Sequence, residues 1–190
     1  MSKTNSLSIV IAFAFVFHLD LYSISFYNSK GTNFTFAQFI GKPIMVVTLP
    51  TKVDSAYAAF FETVNQLATN MKDNFVVVAV PAYEDGFNHF NKNELYRWYE
   101  SSLSPSVIIS EAIYTRKSSG GFQHDLFKWL TTKELNLHLD TEITGPCQKF
   151  LINTSGDLVA AFNSKTGYEH QAFQKAVELS HSNKSRAYNF

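Results

Sequence analysis

The chain of 190 residues contains a single cysteine, Cys147. That excludes an intrachain disulfide framework, a cysteine-rich zinc module and a two-cysteine redox cycle within one chain. Glycine (eight) and proline (five) are scarce, which excludes collagen-like and low-complexity sequences. A surplus of charge is missing too: 16 basic residues face 16 acidic ones. No basic excess points to nucleic acid, and no acidic excess points to a polycationic partner. One long apolar run is present, residues 7–19 (LSIVIAFAFVFHL), and its thirteen residues fall short of a membrane-spanning helix, which needs about 20. No stable membrane domain is therefore expected beyond that segment.

The run fits the central region of a secretory signal peptide, after a short polar start that carries Lys3. No clear small-residue cleavage site follows, since the next residues are Asp20, Leu21 and Tyr22. Three readings stay open: export with cleavage near residue 20 to a periplasmic or extracellular location, an uncleaved membrane anchor, or a buried terminal element. No cysteine follows the run, so lipoprotein anchoring is excluded.

What the chain does have is apolar and aromatic bulk, at 45% and 15% of residues against 17% charged. A disordered chain would show the opposite balance. The size suits one domain, expected over residues 21–182, with residues 183–190 as a flexible tail. Residues 22–27 and 33–35 flank an Asn-Ser-Gly turn and read as a short hairpin. Residues 44–50 (IMVVTLP) and 75–80 (FVVVAV) are apolar on both faces, as expected of strands buried in mid-sheet. Between them, apolar residues recur at three and four from Tyr57 to Met71, with Asp54 or Ser55 as N-cap, which predicts a helix. Strand, helix, strand with short connections predicts a right-handed parallel βαβ unit. Residues 83–93 read as a polar loop, 94–103 as a helix, and 124–130 as a short helix. Lys149–Ile152 and Leu158–Phe162 read as a hairpin around residues 153–157. A closing helix is expected over 168–182.

This order is the thioredoxin-type layout, an α/β fold with a central mixed sheet, helices on both faces and an N-terminal hairpin. Five stretches narrow the likeness: GKPIMVV before the first long helix, Thr51-Lys52 after that strand, PAYEDGF after the next strand, HDLFKWL, and KFLINTSGDLVAAF. With these words in this order the chain resembles the glutathione peroxidase family over residues 22–180. The resemblance implies a hydroperoxide-reducing site on a thioredoxin-like scaffold, and here the reactive set has been replaced. Val53 stands where the family's peroxidatic cysteine or selenocysteine would be, followed by Asp54 in place of glycine. Glu84 holds the place of the family's glutamine, and Gly145-Pro146 that of a Trp-Asn pair. No resolving cysteine lies in residues 94–103.

Valine offers neither a lone pair nor an ionisable proton, and the thiolate route needs both. The resemblance therefore implies a catalytically silent relative serving as a binding or interaction module linked by family to oxidative stress, with a protein or small molecule as its partner. Two other readings are retained: a thiol peroxidase using a relocated Cys147, and a cell-envelope scaffold. Cys147 is also readable as a small buried hydrophobe. Asp54, Glu84 and Asp85 are expected to converge at the carboxyl ends of the parallel strands, where such sheets bind ligands. Three carboxylates could serve as a Ca²⁺ or Mg²⁺ site or an acid/base pair, but a solvated loop face is the plainer expectation. Among Tyr83, Phe87, Phe90, Tyr96, Trp98 and Tyr99, the loop residues Tyr83 and Phe87 are the expected exposed binding contacts; the others are expected in the core. No cofactor is implied. No metal is expected, because the six histidines (His18, His89, His124, His138, His170 and His181) do not pair at ligand spacing. Glycosylation acceptors occur at Asn33, Asn153 and Asn183, and they matter only in a eukaryotic secretory path.

Overall fold

A computed structural model describes residues 19–70 and 74–182. The apolar run with His18, the helix residue Met71, the Asn183 acceptor and the tail lie outside these residues, as does any test of export. Among the described residues no helix is long and apolar enough to cross a membrane.

The first two strands, β1 (Ser25–Tyr27) and β2 (Asn33–Thr35), form an antiparallel hairpin with Phe26 opposite Phe34. Asn28 shapes the turn: its Oδ1 accepts from the N–H groups of Lys30 at 3.0 Å and Thr32 at 2.8 Å. The central sheet has the order β5-β4-β3-β6-β7. Its strands are β3 (Ile44–Leu49), β4 (Val76–Pro81), β5 (Ile108–Ile109), β6 (Lys149–Ile152) and β7 (Leu158–Phe162). Strand β3 pairs in parallel with β4, and β4 with β5, whereas β6 runs antiparallel to β3 and β7 to β6. The expected βαβ unit and the expected hairpin are both present.

Helices α1 (Ala58–Asn70), α2 (Lys92–Ser102), α3 (Asp125–Thr131), α4 (Lys133–Asn136) and α5 (Gln171–Ser180) complete the chain. The first long helix starts later than its periodicity predicts. Asp54 caps a single 3-10 turn, Ser55–Tyr57, accepting from the Ala56 N–H at 2.9 Å, and the α-helix follows. Helix α4 is short and follows a polar stretch, so no periodic signal marks it in the sequence. His124 caps α3 through Nδ1, which accepts from the Leu126 N–H at 3.2 Å. Burial holds the His124 pKa below the usual histidine value, which keeps that nitrogen available as an acceptor.

Alternation in β3 explains the two cores. Met45, Val47 and Leu49 join Phe60, Phe61, Val64 and Leu67 of α1, Leu95 and Tyr99 of α2, and Phe173 of α5. Ile44 and Val46 face the other side, with Leu126, Phe127 and Leu130 of α3 and Phe26 and Phe36 near the hairpin. All six β3 residues are buried, as a strand covered on both faces requires. In the β6–β7 turn the Asn153 Oδ1 accepts from the N–H groups of Ser155 at 2.9 Å and Asp157 at 2.8 Å. Gly156 there has φ +86°, and a Cβ on it would lie 2.7 Å from the Tyr22 hydroxyl, so glycine alone fits. Asn153 is 3% exposed, so a glycan on this acceptor is incompatible with the folded turn, while Asn33 is exposed.

Candidate functional site

The carboxyl ends of β3 and β4 launch the two segments that carry Val53 and Glu84. After β3 the chain runs through Thr51, Lys52 and Val53 to the Asp54 cap. After β4 it makes the 3-10 turn Tyr83–Asp85, ended by Gly86 at φ +101°. One bond ties the two segments together: the Thr51 hydroxyl donates to the Asp85 carbonyl. A third segment, residues 145–148, is tied to the end of β3. The Cys147 N–H donates to the Thr48 carbonyl at 2.8 Å, and the Thr48 hydroxyl donates to the Gly145 carbonyl at 3.3 Å. The Gln148 N–H donates in turn to the Thr48 Oγ1 at 3.0 Å.

Val53 is 47% exposed and brings an apolar side chain to the surface just before the Asp54 cap. Cys147 has φ +67° and is only 2% exposed. Burial pushes its thiol pKa up to about 12; Lys149 nearby pulls it down and Asp85 pushes it up further. Such a thiol is neither accessible nor ionised at neutral pH, which is the state of a structural cysteine. Residues 145–148 thus lie against the end of β3, and Cys147 belongs to the core packed there.

Glu84 is no solvated loop residue. Its Oε1 accepts from the Thr115 N–H at 2.8 Å, the Arg116 N–H at 2.8 Å and the Ser119 hydroxyl at 2.7 Å. Burial raises its pKa, but the bonds from Arg116, Ser119, its own backbone and Thr115 outweigh burial and hold the group below the usual carboxylate range. Asp85 accepts from the Arg116 guanidinium, and its side chain is 7% exposed. Its pKa is raised: burial leads, Arg116 opposes and the Glu84 charge adds to the rise. Together they form a clamp that holds residues 115–119 over the end of β4. Four buried polar atoms of this clamp, Glu84 Oε2, Asp85 Oδ2, Thr115 Oγ1 and Arg116 Nε, have no hydrogen-bond partner among the described residues. The expected convergence of Asp54, Glu84 and Asp85 therefore fails in its detail. Asp54 caps a helix, the other two carboxylates serve the clamp, and no cluster of three metal-binding side chains occurs among the described residues.

The aromatic expectations divide. Tyr83 is 44% exposed, as expected of a binding contact. Phe87 is 5% exposed, packed on Tyr83 at 6.3 Å and Tyr96 at 5.3 Å between ring centroids, which corrects its placement as an exposed contact. Phe90, expected in the core, is 87% exposed and stacks only on His89. Period and composition could not separate these two, because both sit in a loop whose backbone has no repeating face. Tyr83 continues into a surface row with Tyr114 at 5.0 Å and Phe122 beyond it at 5.8 Å.

Sequence reasoning missed several participants. Tyr57 counted only as a helix-face residue, yet burial and the charges of Cys147, Asp54 and Asp85 raise its pKa, and its ring packs edge-on against Trp98 at 6.3 Å. Tyr99 donates to the Pro50 carbonyl at 2.6 Å and braces the segment after β3, and burial drives its pKa far up. Arg116 and Ser119 are remote in sequence from Glu84, and no local motif marks them. Lys149 was seen only as part of a hairpin word. It is 1% exposed and donates to the carbonyls of Cys147 at 3.1 Å and Asn163 at 3.2 Å, with its ammonium 5.5 Å from the Phe60 ring centre. Burial lowers its pKa to about 8, only partly opposed by Cys147.

No protein-family model matches the chain, and no curated protein matches it in sequence. Solved structures do match in shape. T. cruzi GPX1 superposes with TM-score 0.62 at 19% identity, covering 85% of this chain and 96% of that one. Trgpx in its apo form gives TM-score 0.62 at 19% identity, covering 85% and 95%. A thiol:disulfide interchange protein of the thioredoxin family from Chlorobium tepidum gives TM-score 0.52 at 16% identity, covering 85% and 94%. The chain has a thioredoxin-like fold. Within that fold the sheet order, the α1 crossover and the hairpin before α5 place Val53 after the strand that precedes the first long helix. At these identities the likeness establishes architecture, and the chemistry must be argued from the residues.

Proposed function

We propose that this thioredoxin-like protein binds a ligand or partner at the carboxyl edge of its sheet and does not reduce hydroperoxides by a thiol route. The observation that carries this reading is Val53, an exposed valine at the place of the peroxidatic nucleophile. The state of the one remaining thiol supports it. Burial pushes the Cys147 thiol pKa up to about 12, so the thiol stays protonated at neutral pH. The clamp supports it as well. Glu84, at the place of the family's glutamine, gives its bonds to residues 115–119 and adds a negative charge, which would raise the pKa of any thiol placed nearby. In this reading the protein is exported, the first twenty residues act as its address, and Tyr83 with its aromatic neighbours is one of the binding contacts.

Hydroperoxide consumption by the purified protein tests the reading, with glutathione and with a thioredoxin system as reductants. Background rates support it. Turnover that disappears in Cys147→Ser would instead make Cys147 the nucleophile and remove the proposal.

A further inference from the structure

A groove of 780 Å³ opens beside Val53, between the outer side of α1 and the last turns of α2. That size falls in the range of small-molecule sites, about 300–1,000 Å³. Phe61 and Trp98 line it, with their rings edge to face at 5.0 Å. Among the described residues its only charged lining residues are Asp54 and Glu62, with no lysine or arginine. Among the described residues neither carboxylate enters an ion pair. Asp54 uses Oδ1 for its helix cap, and Glu62 receives only the Gln66 amide, at 3.4 Å. Asp54 caps the 3-10 turn and Glu62 lies about one turn into α1, so the two acids line the groove at different points along it. Ser102, the last residue of α2, also lines the groove, its carbonyl accepting from the Asn65 amide at 2.8 Å.

We infer that this groove binds an elongated organic dication, with one ammonium at Asp54, the other at Glu62, and the methylene chain lying on Phe61 and Trp98. Each element of the site has a matching feature in such a ligand. Two separated negative charges fit two separated positive ones, and an aromatic wall favours both alkyl packing and cation–π contact. Val53 contributes apolar surface here, which a reactive thiolate would not. The chain's overall neutrality is no obstacle, because the charge that selects a ligand is local. The inference rests on the binding reading of the site above and names its ligand class.

The test is calorimetric titration of the full chain with 1,8-diaminooctane, alongside octylamine and 1,8-octanediol as the monocationic and neutral probes. The diamine is expected to bind, to quench or shift the fluorescence of Trp98, and to lose affinity as salt is raised. Each partly exposed ion pair contributes a few-fold, so Asp54→Asn with Glu62→Gln should weaken the diamine by about tenfold. Asparagine is itself a good N-cap, so this variant keeps its fold. Trp98→Phe should abolish the fluorescence response and weaken the diamine a few-fold, because it removes the better cation–π surface of the wall. Equal binding of the diol, or unchanged binding of the diamine to the double variant, would overturn the inference. Neither result would touch the catalytic silence of residue 53, which hydroperoxide consumption decides separately.

Discussion

Lys149 gives the sharpest physical test of the buried arrangement around Cys147. Burial of Lys149, 1% exposed, weighs against its charged form more than the two carbonyls and the Phe60 ring that receive its ammonium can offset. Its folded pKa is about 8 against 10.5 in the unfolded chain. Between these values the unfolded chain holds a proton that the folded chain has released, so stability rises with pH across that window. The full gain is about 3 kcal/mol, of which about 2 kcal/mol is realised between pH 7 and pH 9.5. Several buried tyrosines and Cys147 titrate the other way above pH 9, so the difference from Lys149→Met is the informative quantity. Those groups are common to both proteins and cancel. Urea unfolding at half-unit steps from pH 7 to 9.5 measures it, and the Lys149→Met curve should lack the rise that wild type shows. Parallel curves would refute the reasoning and mean that the ammonium is solvated or paired in the folded state.

Other outcomes follow from the same contacts. Glu84→Ala leaves three donors without their acceptor and should cost about 2–4 kcal/mol by urea unfolding, with faster amide exchange in residues 115–119. Because the folded Glu84 pKa lies below its ordinary value of 4.5, its contribution is present at neutral pH and fades as pH falls below that value, so wild type and variant should converge in acid. Cys147 should resist iodoacetamide at pH 7.5 in the native protein and react within minutes once unfolded; fast native labelling would contradict its burial. Phe87→Ala should cost about 3 kcal/mol, while Tyr83→Ala at its 44% exposed position should cost under about 1 kcal/mol. The reverse order would restore Phe87 as the surface contact.

The architecture was legible because its main signals are periodic. Val46 and Val47 sit in a run apolar on both faces, and such a run has few homes other than mid-sheet. The three-and-four spacing of Phe60, Val64, Leu67 and Ala68 points one helix face inward. Asn153 and Gly156 announce their turn through side-chain bonding and left-handed backbone. Helix α4 lacked any comparable signal. The site was only half legible. The position of Val53 between the end of β3 and the Asp54 cap can be read from its neighbours, the apolar strand before it and the N-cap signal after it. The bond from Ser119 to Glu84 cannot, because it joins residues 35 positions apart through a loop that has no period. The same holds for Phe87 and Phe90, three residues apart in one loop, where the backbone path alone decides which ring is buried. Asp85 looked like a solvated acid until its guanidinium partner, Arg116, was placed beside it by a bridge between Ala82 and Ile113.

In the proposed reading, residue 53 has lost the peroxidatic chemistry while the thioredoxin-like fold around it persists. Hydroperoxide consumption measured side by side on wild type, Val53→Cys and Cys147→Ser, with glutathione and a thioredoxin system, tests it most directly. The account predicts background rates for wild type and Cys147→Ser, with measurable turnover appearing only in Val53→Cys. Clear turnover by wild type would contradict it, whether or not that turnover depended on Cys147.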